Sequence, residues 1–327
     1  MSASGMIRLS ADDFPERNRV EAVREIYGKS IIKVQLEPLL DMPFQFDATL
    51  HALSDLKFAS GTLSPVRGLL TKSLISGDDL LFNVTLSGGR SLHQCGREAL
   101  LGPGEGGLTT NVDPGAVTVH APSRFFSFRT PRKTLQPAIG DLDAALVRTI
   151  PPNNEALRLL IGYARLIEES QPMTTPQLRD LVATHFQDLI ALAVGATRET
   201  GEIARGRGLP AARLVAIKSD ILANLARADL SIDAVAKRHG ITPRYIGMLF
   251  AGEETSFTHF VLTSRLDEAY RMLRSAFHRT RPIGEIALAC GFSDLSYFNR
   301  AFRRRYGLTP SDVREVARNA LESGDET

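Results

Sequence analysis

Apolar residues in the last third of the chain recur at intervals of three and four, which is the period of an amphipathic helix. Between residues 283 and 290 they form one stripe, made of Ile283, Ile286, Ala287 and Cys290. Gly291 follows, and glycine takes the left-handed conformation that ends many helices at the least cost. Ser293 and Asp294 then offer side-chain oxygens to the free backbone N–H groups of a second helix. The pattern predicts a helix-turn-helix over residues 283–304.

The second predicted helix separates apolar from polar side chains. Its inward residues are Tyr297, Phe298, Ala301 and Phe302. Its outward residues are Ser296, Asn299, Arg300, Arg303, Arg304 and Arg305. Amide and guanidinium groups on one exposed face are typical of a recognition helix, because amides pair with adenine edges and guanidinium groups pair with guanine edges or phosphates. Nothing in this stretch is typical of a catalytic site.

The same pattern occurs upstream, over residues 230–250. Positions Ile232, Val235, Ala236, Gly240 and Ile241 correspond to Ile283, Ile286, Ala287, Gly291 and Phe292. After one extra residue in the later turn, Tyr245, Ile246 and Phe250 correspond to Tyr297, Phe298 and Phe302. A repeat this regular indicates an internal duplication. The segment 257–273 between the two units is apolar on more than one side, which predicts a helix packed between two neighbours.

This pair of units resembles the DNA-binding domain of the AraC/XylS family of transcription regulators. The resemblance extends over residues 214–318 and rests on the runs Gly291-Phe292-Ser293-Asp294, Ser296-Tyr297-Phe298-Asn299-Arg300 and Tyr306-Gly307-Leu308-Thr309-Pro310-Ser311. It implies that the partner is double-stranded promoter DNA and that the protein is an effector-responsive activator of a nearby operon, acting through RNA polymerase. It also implies an N-terminal cupin-like barrel that senses an effector, and a homodimer.

The resemblance places the DNA contacts of the first unit at Arg244 and Met248. Arg244 is predicted to reach a guanine or a phosphate, with a solvated surface arginine as the alternative. Met248 departs from the family, which usually has arginine at this position, and Gly247 has no side chain. We therefore expect weak base readout from this unit. Glu254 also stands in a loop where glycine is frequent in the family.

The second unit is better equipped to read bases. Asn299 is predicted to pair with an adenine and Arg300 with a guanine, while Ser296 lies one turn earlier on the same face. Three further side chains are predicted to hold phosphates, namely Arg303, Arg304 and Arg305. An internal ion pair with Asp294 or Glu285 is the alternative for Arg300. The two units would enter successive major grooves roughly 34 Å apart.

Residues 31–130 have a different character, with short apolar runs separated by Gly, Pro, Asp and Asn. The runs lie at 32–36, 44–50, 80–86, 116–120 and 124–128, after a predicted helix at 15–27. Many short strands with frequent turns indicate an antiparallel barrel or sandwich. The predicted fold class is therefore α+β, with a β-rich cupin-like barrel, a helical hairpin and an all-α C-terminal domain that contains two helix-turn-helix units.

The hairpin is predicted from two amphipathic segments, 155–169 and 176–194, whose apolar stripes are wider than a lone hairpin needs. They cover the barrel, a second subunit, or both, and the family resemblance favours a homodimer contact. Glycine-rich, charged residues at 195–210 are typical of a linker. The predicted domains are thus 1–194, for effector sensing and dimerisation, and 211–320, for DNA binding.

Charge is distributed unevenly along the chain. Residues 213–320 carry 17 Lys and Arg against 11 Asp and Glu, a net charge of +6, although the whole chain carries only +2. A basic C-terminal third is consistent with a module that binds a polyanion, or with a solvated basic face. The two cysteines, Cys95 and Cys290, argue against a disulfide scaffold. With neither a signal peptide nor a membrane span predicted, we expect a cytoplasmic protein with no membrane partner.

Features that would indicate an enzyme lack support. Gly102, Gly104 and Gly107 match a phosphate-binding glycine motif, but the residues that follow are not helical, so a turn between strands is predicted. His51, His93 and His120 are isolated in the sequence, whereas a metal site needs three or four converging ligands. No catalytic residue, cofactor or metal is predicted. A barrel enzyme with an accessory DNA-binding module is the remote alternative.

Aromatic residues on the predicted strands are either plain core or the lining of an effector pocket. They are Phe44, Phe46, Phe82, Phe125, Phe126 and Phe128. Candidate partners for a carboxylate on such an effector are Arg67, Arg90, Arg97 and Arg124. If the aromatics are plain core, the protein is a ligand-independent DNA-binding regulator with a structural barrel.

Overall fold

The computed structural model describes residues 6–32, 34–39, 44–170, 173, 175–197, 199, 201, 208–227 and 229–322. The chain divides into two compact units, Met1–Arg213 and Leu214–Thr327. All strands of the described residues lie in the first unit, and the regular secondary structure described in the second unit is helical.

Eleven strands and twelve α-helices are present among the described residues. The strands are β1 (Met6–Ser10), β2 (Gln35–Pro38), β3 (Phe46–Leu53), β4 (Leu56–Leu63), β5 (Val66–Leu70), β6 (Leu80–Ser87), β7 (Arg90–Gln94), β8 (Arg97–Leu101), β9 (Gly106–Thr110), β10 (Gly115–Val119) and β11 (Ser123–Thr130). The helices are α1 (Arg19–Val23), α2 (Arg132–Leu135), α3 (Leu142–Ala145), α4 (Glu155–Glu169), α5 (Pro176–Val194), α6 (Gly208–Ala223), α7 (Ile232–His239), α8 (Pro243–Ala251), α9 (Phe257–Arg274), α10 (Ile283–Ala289), α11 (Leu295–Tyr306) and α12 (Pro310–Glu322). Within the described chain, none of these helices combines the length and apolar character needed to cross a bilayer.

The strands form two antiparallel sheets. One has six strands in the order β1-β3-β4-β11-β6-β9, and the other has five in the order β2-β5-β10-β7-β8. The predicted β-rich, cupin-like fold is confirmed, but the sheets do not close into a barrel. Strand β1 lies outside the predicted range 31–130. Its five residues include only one buried side chain, Leu9, so the alternation that reveals a strand is too weak to recognise there.

Two apolar clusters can be distinguished among the described residues of the first unit. The first includes side chains from both sheets, such as Phe46 of β3, Val66 of β5 and Phe125 of β11, together with Tyr27 from the π-helical segment Arg24–Ile32. The second is a group of aromatic rings on the six-stranded sheet, namely Phe58, Phe82, Phe126 and Phe128. Of the aromatic residues that the sequence offered as core or as pocket lining, Phe82, Phe126 and Phe128 therefore belong to the core.

Helices α4 and α5 pack on this aromatic group through Phe186. Its ring centroid lies 5.4 Å from that of Phe58, 4.9 Å from that of Phe128 and 5.2 Å from that of Tyr163 on α4. Three leucines on the two helices remain partly in solvent, with exposed fractions of 43–51%: Leu166, Leu178 and Leu181. The apolar stripes are thus wider than the surface they cover inside the chain.

The predicted linker at 195–210 is only partly described. Gly195 accepts a hydrogen bond from Gly140 at 3.1 Å, and Ala196 pairs with Ile139. Residues 198, 200 and 202–207 lie outside the described chain. Residues 208–210 already belong to α6, so the helix begins earlier than the glycine content predicts. Pro210 is compatible with a helix here because the first turn needs no partner for its N–H group.

The second unit has two cores that share one helix. The first core contains Ile217 and Ile221 of α6, Val235 of α7 and Phe250 of α8. The second contains Ile286 and Cys290 of the α10 region together with Phe298 and Phe302 of α11. Helix α9 contributes to both, through Phe257 and Val261 in the first and Leu266, Ala269 and Leu273 in the second. The predicted position of this helix between two neighbours is confirmed.

Candidate nucleic-acid interface

The first helix-turn-helix consists of α7, a turn and α8. Ser231 begins α7 by accepting a hydrogen bond from the N–H of Ala234 at 3.2 Å. Gly240 ends it in the left-handed conformation, with φ of 64°. Thr242 then caps α8 by accepting a hydrogen bond from the N–H of Tyr245 at 3.2 Å. Each of these residues satisfies backbone groups that a helix end leaves free, so the turn geometry follows from local sequence.

The second helix-turn-helix consists of α10, a turn and α11. The Asp294 carboxylate accepts a hydrogen bond from the N–H of Tyr297 at 3.0 Å, as the sequence predicts. Gly291 has φ of 88° and lies against backbone: a Cβ there would stand 2.6 Å from the carbonyl oxygen of Leu225. That oxygen also accepts a hydrogen bond from Arg265 Nε at 3.1 Å. The turn is therefore held against the chain that follows α6.

Helix α11 exposes a row of polar side chains: Ser296, Asn299, Arg300, Arg303 and Arg304. In the described part of the chain, Asn299, Arg300 and Arg304 have no side-chain hydrogen bond or ion pair. The alternative partners of Arg300 are engaged elsewhere, because Asp294 caps α11 and Glu285 lies 3.6 Å from Arg281 Nε. Arg303 is close enough to Asp312 to contribute to lowering the pKa of that carboxyl, after the larger effect of the hydrogen bonds with Thr309.

Arg305 differs from its neighbours because it has an internal partner. Its Nε and Nη2 atoms donate to Asp267 Oδ1 on α9 at 3.1 and 2.9 Å. The Tyr306 hydroxyl donates to the same oxygen at 2.6 Å, and burial first and this carboxylate second raise the pKa of Tyr306 to about 12. Arg305 therefore connects α11 to α9, and we leave it out of the candidate interface.

One further position, on α11, departs from the sequence analysis. Tyr297 is predicted to face inward but is 43% exposed. The buried residues of that stripe are Phe298, Ala301 and Phe302. In the first helix-turn-helix, Arg244 and Met248 are both exposed on α8, and Met248 has an exposed fraction of 62%. Glu254 adopts φ of 54°, a left-handed conformation that favours glycine.

The first unit has a cavity between its two sheets, with a volume of about 70 Å³. Of the aromatic residues proposed as a pocket lining, Phe44, Phe46 and Phe125 line it. Of the four candidate arginines, only Arg90 does. Arg67 is exposed, Arg97 donates to the carbonyl oxygens of Asp143 and Leu146, and Arg124 pairs with Glu168 at 2.7 Å.

The features that would indicate an enzyme are scattered. Gly102 and Gly104 lie in the turn between β8 and β9, and Gly107 lies in β9 itself, so the glycine motif connects strands, as predicted. His51 stacks on Phe58, His93 pairs with Glu98 at 3.0 Å, and His120 bonds Ser91. Over the residues that the structure describes, no three His, Cys, Asp or Glu side chains group in a way that would hold a metal ion.

Comparison with known families agrees with both units. The profile of an AraC-binding-like domain matches residues 23–194, more than half of the chain, and that of a helix-turn-helix domain matches residues 235–315. The chain belongs to the AraC family. The resemblance of the helical unit to this family is thereby confirmed. The family match also includes the β-rich unit, where the sequence motifs were weakest.

Individual proteins are similar to parts or most of the chain. The transcriptional activator RhrA of Rhizobium meliloti (strain 1021) is 38% identical over 161 residues, which is 49% of each chain. The chain thus covers about half the length of that relative. The transcriptional activator NphR of a Rhodococcus species is 25% identical over 73% of this chain and 71% of its own. The crystal structure of the AraC-like transcriptional activator CuxR shares the fold, with a TM-score of 0.50 and 17% identity over 81% of this chain and 95% of its own.

Proposed function

We propose that the protein is a sequence-specific, DNA-binding transcription regulator that activates a nearby operon in response to a small-molecule effector. The observation that carries this proposal is the face of α11, where Asn299, Arg300 and Arg304 are exposed and have no side-chain partner in the described chain. Polar groups in solvent without internal partners are free to exchange water for base edges and phosphates. The names of RhrA and NphR, both transcriptional activators, support the same conclusion.

The two helix-turn-helix units have different roles in this proposal. Asn299 and Arg300 read base edges in the major groove, with Ser296 beside them, and Arg303 and Arg304 bind phosphates. In the first helix-turn-helix, Arg244 holds a phosphate or a guanine and Met248 contacts a thymine methyl group at most. The second helix-turn-helix therefore supplies most of the sequence discrimination, and the first mainly anchors the protein to the DNA backbone.

Substitutions on α11 test these roles. Asn299→Ala is expected to cost about 1–3 kcal/mol on the preferred duplex and little on a scrambled one, because only a base contact is lost. Arg304→Ala is expected to weaken binding to both duplexes and to lower the slope of log K against log salt by about 0.9, which corresponds to one phosphate. The measurement is fluorescence anisotropy with the full-length protein over a salt series, on a duplex selected from a random pool and its scrambled counterpart.

Arg305→Ala is the matched control on the same helix. It removes a guanidinium group that is paired with Asp267, so the salt slope should remain that of the unsubstituted protein. If Arg304→Ala and Arg305→Ala lower the slope equally, the phosphate assignment is wrong. If Asn299→Ala loses the same affinity on both duplexes, the base-reading assignment is wrong.

We further propose that α4 and α5 form a homodimer contact. An apolar strip is left partly exposed on these helices by three leucines, Leu166, Leu178 and Leu181. A second copy of the chain that packs on this strip would bury it. Leu181→Glu should convert dimers to monomers in sedimentation experiments, since a charge in an apolar contact is costly. Leu100→Glu, at an exposed leucine on β8, is the control. A monomeric unsubstituted protein at every concentration measured would contradict the proposal.

Activation through RNA polymerase and a cytoplasmic location complete the proposal, both by likeness to the family. In vitro transcription from a bound promoter tests the first. The protein should raise the transcript yield; an unchanged yield would contradict activation, and a lower yield would indicate a repressor. The cavity between the two sheets is the proposed effector site, because residues of both sheets line it and most of them are apolar.

A further inference from the structure

Arg90 is a buried cation without a matching anion. Its side chain belongs to β7, lines the cavity between the sheets and is only 4% exposed. Within the described chain no carboxylate lies within ion-pairing distance of it, and no acidic residue lines the cavity. Isolated buried charges are strongly unfavourable, so proteins normally pair them. Burial lowers the pKa of Arg90 only to about 10, which leaves the guanidinium charged at neutral pH.

The guanidinium group of Arg90 also lacks hydrogen-bond partners along one of its edges. Nη1 donates to Asn83 Oδ1 at 3.4 Å, while Nε and Nη2 have no partner among the described residues. Nε and Nη2 are the two donors that bind the two oxygens of a carboxylate side by side. The Nδ2 atom of Asn83, which also lines the cavity, is a third buried donor without a described partner.

The remaining surroundings of Arg90 do not neutralise its charge. The Phe125 ring lies 5.7 Å from the guanidinium carbon, which is a favourable but weak contact. Tyr27 also lines the cavity, and burial raises the pKa of its phenol well above the ordinary value, so it stays neutral. Elsewhere the lining is largely apolar, with Phe44, Phe46 and Val119 among its residues. The cavity therefore combines one cationic donor edge with an apolar body.

We propose that the effector is a small monocarboxylate with an apolar aliphatic or aromatic body, held by the Nε–Nη2 edge of Arg90. The inference rests on the proposed function, since it names the chemical class that the effector site accepts. A cavity of about 70 Å³ accommodates several waters at roughly 10–15 Å³ each, so the body of the ligand is small. Charge-assisted bidentate bonds supply orientation, and the apolar walls exclude dicarboxylates and sugars.

Carboxylates and their neutral amides test this class directly. Full-length protein is titrated with butyrate, benzoate and phenylacetate, and with butyramide, benzamide and phenylacetamide, by calorimetry and thermal denaturation. At least one acid should bind and raise Tm, and it should bind at least about tenfold more tightly than its amide, because only the acid compensates the buried charge. If no acid binds, or if acid and amide bind equally, the inference is overturned and water is the occupant of the cavity.

Arg90→Met assigns the effect to the residue. This variant should lose the response to the acids by at least about tenfold, and Arg67→Met, at an exposed arginine on β5 of the same sheet, should keep it. An unchanged response in Arg90→Met overturns the inference. Binding of Arg90→Met to duplex DNA, measured in parallel, separates the two proposals: DNA binding without acid binding leaves the regulator assignment intact. If the variant does not fold, the comparison of acid with amide on the unsubstituted protein still decides.

Discussion

Replacing Gly291 by alanine is expected to destabilise the helical unit by about 2–5 kcal/mol and to abolish DNA binding at ordinary protein concentrations. About 1–2 kcal/mol comes from the left-handed backbone conformation, and about 1–3 kcal/mol from the contact of the new Cβ with fixed atoms. Those atoms are the Leu225 carbonyl oxygen at 2.6 Å and the Arg265 guanidinium at 2.8 Å. Because the oxygen is backbone and the guanidinium is bonded to it, neither moves freely.

Gly240→Ala is the matched substitution in the first helix-turn-helix. Gly240 occupies the corresponding turn position, with φ of 64°, but a Cβ there would meet nothing within 4 Å. Gly240→Ala should therefore destabilise the protein only by the cost of the left-handed backbone conformation, about 1–2 kcal/mol. Thermal denaturation of both full-length variants, followed by circular dichroism, gives the difference. Equal losses for Gly240→Ala and Gly291→Ala would show that the contact with Leu225 and Arg265 is absent in solution.

Phe186→Ala should be the most damaging single truncation in the first unit, with a loss of about 3–5 kcal/mol in the free energy of unfolding. Phe186 is fully buried and is the side chain through which α5 contacts the rings of Phe58 and Phe128. Its removal leaves a cavity between the helices and the six-stranded sheet. Unfolding by denaturant measures the loss, and increased susceptibility of α4 and α5 to proteolysis should accompany it.

Leu100→Ala provides the reference for that measurement. Leu100 lies on β8 and is 63% exposed, so its truncation should change stability by no more than about 0.5 kcal/mol. A Phe186→Ala variant as stable as Leu100→Ala would mean that α5 does not pack on the sheet as described. A variant that still binds duplex DNA while its first unit is destabilised would agree with two units that fold separately.

The helical unit could be predicted from sequence almost element by element. Its helices begin at capping residues such as Thr242 and Asp294 and end at glycines such as Gly240 and Gly291, so the signals are local. The duplication supplied an internal check on each assignment. In the β-rich unit the five predicted runs overlap β2, β3, β6, β10 and β11, whereas the other six strands were not predicted individually. The pairing of strands was not predicted either, because partners such as β4 and β11 are far apart in the sequence. The order of strands, and hence two sheets instead of a closed barrel, depends on those distant contacts.

The candidate sites show the same limit at the level of single side chains. Arg304 and Arg305 are adjacent and chemically identical, yet only Arg305 has Asp267 as a partner, 38 residues away along the chain. Likewise, Arg90 was one of four candidate arginines until the structure placed it in the cavity without a carboxylate. A sequence pattern identifies which residues are capable of an interaction. Which of them are already engaged depends on tertiary contacts.

Helix α9 has a consequence for the promoter. Its 18 residues extend for about 27 Å, and its two ends belong to the separate cores of the two helix-turn-helix units. A shared helix of this kind fixes the distance between the two helix-turn-helix units. In the proposed function, the two DNA segments that these units bind must therefore lie at a fixed spacing in the operator. A promoter that gains or loses a few base pairs between them would lose one contact region completely, and only compensating changes in the DNA, such as bending or twisting, would restore it.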